Sequence, residues 1–162
     1  MELTKSYRLP DREGEKMKKF ELTSEYVTNS FGKKMYRIKA LVAFGNIEKG
    51  ELGGFVEKES NLAHYGNAWV YRNACVSGKA EIYGNLDFAT VGGFGSEQRT
   101  TTFFRQKDGS VGVQCGCFCG TLEEFREKVL ETHRESKYAQ EYLMIADLME
   151  LHFAGGKEDD ER

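Results

Sequence analysis

The chain has 162 residues, and its 40% apolar and 30% charged residues are typical of a folded protein rather than a disordered one. The formal net charge of −3 excludes a strong general attraction to nucleic acids or anionic membranes. No apolar run is long enough to span a bilayer, and no N-terminal signal peptide is recognisable, so we expect a cytoplasmic protein. Eighteen glycines and a single proline predict many tight turns.

The N-terminal third predicts a flexible segment followed by strands. Residues 1–16 are polar and show no usable period, which predicts a flexible extension. Residues 36–41 (YRIKAL) alternate apolar and basic side chains, as a half-buried strand does, and residues 29–34 before them are typical of a turn. We therefore predict an N-terminal β-hairpin cap over residues 17–49.

Residues 50–90 contain the clearest pattern, a period of six. In the four hexads that begin at residue 66, the third position is Ala68, Ala74, Ala80 and Leu86. The fifth position is Val70, Val76, Ile82 and Phe88. Gly and Asn at the hexad starts suit tight corners, and small and branched residues at a spacing of six suit the interior of a triangular coil. We predict a short left-handed parallel β-helix, with an ordinary antiparallel sheet as the alternative.

The C-terminal half predicts a ββαα module over residues 91–154, which makes the protein mainly β. Residues 100–105 (TTTFFR) and 111–118 are rich in strand-forming residues and flank a turn at 107–110 (KDGS). Thr121 and Glu124 form a capping box at the start of a first helix, and a second helix begins near Lys137. Residues 155–162 are charged and predict a disordered tail.

Histidine and cysteine offer two candidate chemistries. His64 is the one histidine in the predicted solenoid and is the candidate general base of an acyltransferase, although a structural histidine is the simpler interpretation. Cys115, Cys117 and Cys119 alternate and would point to one face of a continuous strand. Because no second cysteine pair accompanies them, we favour reduced core thiols over a metal site and predict no cofactor.

Residues 93–102 are the preferred candidate for ligand binding. Gly95 would allow the backbone to approach a ligand closely. Ser96, Arg99 and Thr101 could hydrogen-bond a phosphate, with the arginine offering a bidentate contact. The alternative is a polar joint that leads into an edge strand.

Aromatic residues suggest an interface between chains. Those expected at outward positions of the solenoid or on the second helix are Trp69, Tyr71, Tyr83, Tyr138 and Tyr142. A solenoid this short needs additional burial. We therefore expect a homo-oligomer, a trimer first and a dimer through the C-terminal helices second.

Several segments resemble phage and prophage hexapeptide-repeat proteins. They are residues 17–23 (MKKFELT), 36–41, 50–56 (GELGGFV), 61–62, 66–71 (GNAWVY), 101–104, 108–109, 115–118 (CGCF) and 120–125 (GTLEEF). The resemblance covers residues 17–153, but this chain has fewer repeats than its longer relatives. It implies a phage protein in the host cytoplasm and supplies neither a ligand nor an activity.

Three functions follow as hypotheses. The first is a non-catalytic accessory protein that binds and inhibits a host factor, such as a CRISPR-type or other anti-phage defence effector. The second is a sponge that sequesters a nucleotide immune signal between subunits, using Ser96, Arg99 and Thr101. The third is an acyltransferase that uses His64. We expect no membrane partner and no strong interaction with nucleic acid.

Overall fold

The computed structural model describes residues 18–96, 99–116 and 118–154, which form two four-stranded sheets and two helices. The predicted extension and tail lie outside these residues. The strands of the first sheet are β1 (Phe20–Thr28), β2 (Lys34–Ala40), β3 (Leu52–Val56) and β4 (Cys75–Val76). Those of the second sheet are β5 (Phe88–Phe94), β6 (Arg99–Arg105), β7 (Val111–Cys115) and β8 (Phe118–Thr121). The helices are α1 (Leu122–His133) and α2 (Lys137–Phe153).

Both sheets are open and keep their strands in chain order. In the first sheet β1, β2 and β3 pair antiparallel, whereas β3 and β4 pair parallel, with Phe55 opposite Cys75 and Val56 opposite Val76. The second sheet is antiparallel throughout. The architecture is sandwich-like, so the predicted left-handed parallel β-helix is wrong.

The hexads form too few parallel pairings to make a solenoid. Beyond the two-residue β4, the described part of this region adds one isolated parallel bridge, between Leu62 and Ile82. Ala80 instead pairs antiparallel with Gln106, near the end of β6. A repeat array gains stability from each additional neighbour. The other pairings at the edges of this region are antiparallel: β2 pairs with β3, and Gln106 pairs with Ala80.

The burial predicted for the third and fifth hexad positions is nevertheless confirmed in the first three hexads. The third and fifth positions of the first three hexads are at most 2% exposed, and they are Ala68, Val70, Ala74, Val76, Ala80 and Ile82. They share one core with residues of β1 to β3 and with Phe88 and Phe104 of the second sheet. The fourth hexad departs from the pattern, because Leu86 lies in a 3-10 turn (Asn85–Asp87) and is 54% exposed.

The second sheet packs on both faces. Phe88 and Phe104 join the core of the first sheet, whereas Phe103 and Val113 pack against the helices. The opposite orientation of neighbouring residues is the expected alternation of a strand. The C-terminal region therefore contains four strands rather than the predicted two, and the predicted boundary at residue 91 falls inside β5.

Two of the five aromatic residues assigned to an interface are buried instead. Trp69 is 2% exposed, because Gly53 of β3 leaves room for its ring; a Cβ at Gly53 would lie 2.7 Å from the ring and 2.5 Å from the Val70 carbonyl oxygen. Tyr142 is 6% exposed and packs in the core under the helices. Tyr71, Tyr83 and Tyr138 are exposed as predicted.

Side chains, more than strand ladders, connect the chain between β3 and β5. Asn61 is fully buried; its Oδ1 accepts from the backbone N–H groups of Glu57 and Lys58 at 3.1 and 3.0 Å. Its Nδ2 donates to the carbonyl oxygens of Gly78 and Ala80 at 3.2 and 2.9 Å. The Asn61 side chain thus joins the backbone at residues 57–58 to the backbone at residues 78–80.

Lys19 makes a similar connection from the start of β1. Its side chain is buried, and its Nζ donates to the carbonyl oxygens of Ala68 and Gly66 at 2.6 and 3.4 Å. The ammonium also lies 4.7 Å from the centre of the Phe44 ring. Burial lowers the pKa of Lys19 to about 8, because the charged form loses its hydration.

Neither described helix has the length and apolar character needed to cross a membrane.

Candidate ligand-binding cleft

A cleft of about 310 Å³ opens where the second sheet meets the two helices. Its walls come from β6, β7 and β8, from the last two turns of α1, and from α2. This volume is at the lower end of the range for small-molecule sites. The cleft therefore fits a ligand of modest size.

Among the described lining residues, the two charged side chains, Arg99 and Lys128, are both positive. The basic side chains are those of Arg99, Lys128 and His133, and none of the described lining residues is acidic. Lys128 is exposed on α1 and His133 lies in the last turn of that helix. Arg99 begins β6. The positive charges of Arg99 and Lys128 make this cleft a candidate site for an anion.

Aromatic rings form the apolar part of the same cleft. Phe125 lies between Phe118 and Tyr142, with ring centroids 5.9 and 5.6 Å away. Phe125 and Tyr142 are buried, whereas Phe118 is half-buried. The cleft thus combines basic groups with an apolar surface on which a planar group can pack.

Tyr142 is fixed in the wall by the turn after β5. Its hydroxyl donates to the carbonyl oxygen of Phe94 at 3.1 Å, and burial, together with the nearby Cys115 thiol, raises the pKa of Tyr142 to about 12. Gly95 has a φ of +83°, and a Cβ there would overlap the tyrosine hydroxyl. The close approach at Gly95 is made by the Tyr142 side chain.

Arg99 lies across a second glycine with positive φ. Gly116 has a φ of +58°, and a Cβ at this position would overlap the Arg99 side chain. The turn between β7 and β8 therefore leaves room for Arg99 to lie over its backbone. The sequence alone gave no sign of this contact, because it joins residues from different strands.

The structure brings together two of the three predicted ligand-binding residues. Ser96 and Arg99 line the cleft. Thr101 is 1% exposed, and its Oγ1 donates to the Cys115 Sγ at 3.0 Å, so it lies behind the wall. Lys128, His133 and Phe125 were not predicted as ligand-binding residues, since they come from α1, which is distant in sequence.

The described cysteines do not converge. Cys115 bonds to Thr101 near the helices, whereas Cys119 accepts from Asn29 Nδ2 at 3.3 Å on the side of the first sheet. Cys117 lies outside the described residues. In the parts of the chain that the structure covers, no group of three or more His, Cys, Asp or Glu side chains is arranged to hold a metal ion.

His64, the candidate general base, is positioned by contacts within the fold. Its Nδ1 accepts from the backbone N–H of Lys19 at 3.0 Å, and its ring stacks on Phe20 at 4.3 Å. Its Nε2 lies 3.9 Å from a carboxylate oxygen of Glu59, and the side chain is 20% exposed. These contacts join β1 to the segment that follows the 3-10 turn (Glu59–Asn61).

A second, larger cleft of about 520 Å³ lies between the two sheets, beside the β1–β2 turn. Its basic lining residues are Lys33, Lys58 and Lys79, and its acidic ones are Glu57, Asp108 and Glu124. Lys33 and Glu57 are 3.7 Å apart. Because charges of both signs line it, this cleft has no evident preference for one ligand class.

Comparison of the chain with protein-family models, curated proteins and solved structures finds no match. The resemblance to phage hexapeptide-repeat proteins therefore stays a prediction.

Proposed function

We propose that the protein is a non-catalytic binding protein whose cleft beside α1 holds a small anionic ligand with a planar ring, of the nucleotide class. The observation that carries this proposal is the lining of the cleft, where three basic side chains and no described acidic one surround an aromatic wall. Ser96 and Arg99, predicted from sequence as phosphate ligands, are among its lining residues.

The basic groups would hold the anionic part of the ligand. Arg99 can make two parallel hydrogen bonds to a phosphate or carboxylate, and such charge-assisted bonds are about twice as strong as neutral ones. Lys128 adds a point charge from the facing helix. Positive charges on a strand and on the facing helix favour an anion that lies between them.

The aromatic wall would hold the ring. Phe118 is half-buried and so keeps part of its ring accessible, while Phe125 behind it is 3% exposed. Stacking of a base on an aromatic side chain contributes about 1–3 kcal/mol. Together with one bidentate phosphate contact, this supports selective binding of an intact nucleotide over either of its parts.

Sequestration provides the biological setting of the proposal. A protein that binds a nucleotide signal without converting it lowers the concentration available to the receptor. This corresponds to the nucleotide-sponge hypothesis, with the difference that the proposed cleft lies within one chain rather than between subunits. Inhibition of a host factor through a protein surface stays a separate prediction.

Thermal unfolding with a panel of compounds tests the proposal. The panel contains nucleoside monophosphates, short cyclic and linear oligonucleotides, nucleosides without phosphate, an aromatic carboxylate and inorganic phosphate. A ligand that binds the folded state alone raises the melting temperature. We expect the largest rise with a nucleotide and smaller rises with its separate parts. No shift with any compound would contradict the proposal.

Charge-neutralising variants locate the site. We expect Arg99→Gln and Lys128→Gln each to weaken binding of the best compound by about tenfold or more in a calorimetric titration, as loss of a charge-assisted contact predicts. Lys39→Gln is the matched control, because Lys39 is an exposed lysine of β2 in the other sheet. Equal affinity in all three variants would show that the ligand binds elsewhere.

A further inference from the structure

The formal charge of the cleft beside α1 indicates which kind of phosphate it favours. Arg99 and Lys128 each carry one positive charge, and none of the described lining residues is a carboxylate. Tyr142 adds no negative charge at neutral pH, because burial and the nearby Cys115 thiol raise the pKa of its hydroxyl to about 12. With histidine counted as neutral, the described lining therefore carries two positive charges, one from the arginine and one from the lysine.

The charge of Arg99 acts inside the cleft. The arginine side chain lies over Gly116, where a Cβ would overlap it, in the turn between β7 and β8. Its positive charge also opposes the rise in the pKa of the Tyr142 hydroxyl, of which burial is the main cause. An effect on this hydroxyl requires the guanidinium to be close to the wall that α2 contributes. Arg99 is thus positioned to contact a phosphate held in the cleft.

Lys128 supplies the second charge from α1. It follows Phe125 by three residues, so both side chains lie on the side of the helix that lines the cleft. Arg126, on the same helix, is not among the lining residues and instead contacts the carboxylates of Asp147 and Glu150 at 2.9 and 2.8 Å. The helix therefore directs one cation to the cleft and pairs another with acidic side chains of α2.

We propose that the cleft selects nucleotides whose phosphate is a free monoester over those whose phosphate is a diester, an inference that rests on the proposed function. A phosphate monoester loses its second proton at about pH 6, so near neutral pH it carries two negative charges and matches both cations. A diester carries one negative charge and matches only one of them. The volume of about 310 Å³ also suits one nucleotide unit better than a cyclic dinucleotide. The preferred ligands are therefore nucleoside monophosphates rather than cyclic nucleotides.

Matched pairs of nucleotides test this selectivity by calorimetric titration at about pH 7.5, where the monoester is doubly charged. For each common base, the pair is the 5′-monophosphate and its methyl ester, which keeps the base, the sugar and the open chain but carries one negative charge. We expect the best-bound monophosphate to bind about tenfold or more tightly than its ester, because the second charge interacts with both cations. An ester that binds as tightly as the monophosphate would overturn the selectivity and leave the proposed function intact. Absence of binding by every compound would contradict the proposed function as well.

Two lysine variants show whether charge causes the selectivity. Lys128→Gln leaves Arg99 as the one charged side chain among the described lining residues. We therefore expect the difference between the monophosphate and its ester to shrink to about threefold or less, since the second negative charge then interacts with one cation instead of two. Lys39→Gln, at an exposed lysine of β2 in the other sheet, should keep the full difference. An unchanged difference in Lys128→Gln would show that shape rather than charge discriminates between the ligands, and would overturn the proposal.

Discussion

The two halves of the molecule bury comparable apolar cores but connect their backbones differently. Residues 88–154 form a regular antiparallel sheet with two helices, in which neighbouring strands and turns satisfy most backbone groups. Residues 57–87 contain the two-residue β4, isolated bridges and two short 3-10 turns. There, buried side chains such as Asn61 and Lys19 provide partners for backbone groups that no ladder reaches.

This difference predicts where stability is concentrated. A ladder distributes hydrogen bonds over many residues, so the loss of one side chain changes little of it. A buried side chain that bonds several backbone groups leaves all of them unsatisfied when it is removed. Single substitutions should therefore have larger effects in the hexad region than at equally polar positions of the second half.

Asn61→Ala should have the largest effect. The substitution leaves the Lys58 N–H and the carbonyl oxygens of Gly78 and Ala80 without their side-chain partner. The Glu57 N–H keeps a second acceptor, the Val76 carbonyl oxygen at 3.2 Å. We therefore expect the free energy of unfolding to fall by about 3 kcal/mol. Urea denaturation followed by circular dichroism measures the change. Asn73→Ala is the control, because Asn73 is exposed in the second hexad and should change stability by less than about 0.5 kcal/mol. Similar effects of the two substitutions would remove the distinction between the halves.

The sequence predicted local features better than it predicted their assembly. The capping box at Thr121 and the inward positions of the first three hexads depend on neighbouring residues, and the structure confirms them. Whether four hexads stack into coils depends on which strands occupy the adjacent edges. In the structure, β2 pairs with β3, and Gln106 after β6 pairs with Ala80, so the edges are occupied by residues from outside the hexads.

The candidate site was predicted in part for the same reason. Ser96 and Arg99 belong to one short segment whose polar character is visible in the sequence. Lys128 and His133 reach the cleft because α1 packs across the second sheet, which no local pattern encodes. The prediction that Trp69 lies at an interface was wrong for a similar reason. Its ring is buried because Gly53, in another strand, provides space for it.

The buried Lys19 predicts an unusual dependence of stability on pH. Its pKa is about 8 in the folded protein and 10.5 in the unfolded chain, so between these values the unfolded chain binds more protons. Raising the pH through this window therefore favours the folded state, by no more than about 1.4 kcal/mol per pH unit.

The difference between the wild type and Lys19→Met isolates this effect from other titrating groups. We expect the wild type to gain about 1 kcal/mol relative to this variant between pH 8 and pH 9, measured by urea denaturation at each pH. Lys39→Met, at an exposed lysine of β2, should follow the wild-type profile. Parallel profiles for the wild type and Lys19→Met would mean that the ammonium remains hydrated.

The smallest effect is expected at Thr121, where the second half also uses a side chain to satisfy backbone groups. Thr121 Oγ1 accepts from the N–H of Glu124 at 3.1 Å, and Glu124 Oε1 accepts from the N–H of Thr121 at 2.9 Å. Both contacts are exposed, so water can replace them when they are lost. Thr121→Ala should therefore cost about 1 kcal/mol, with Thr132→Ala in the same helix as the control. A loss as large as that at Asn61 would contradict the expected difference between the hexad region and the second half.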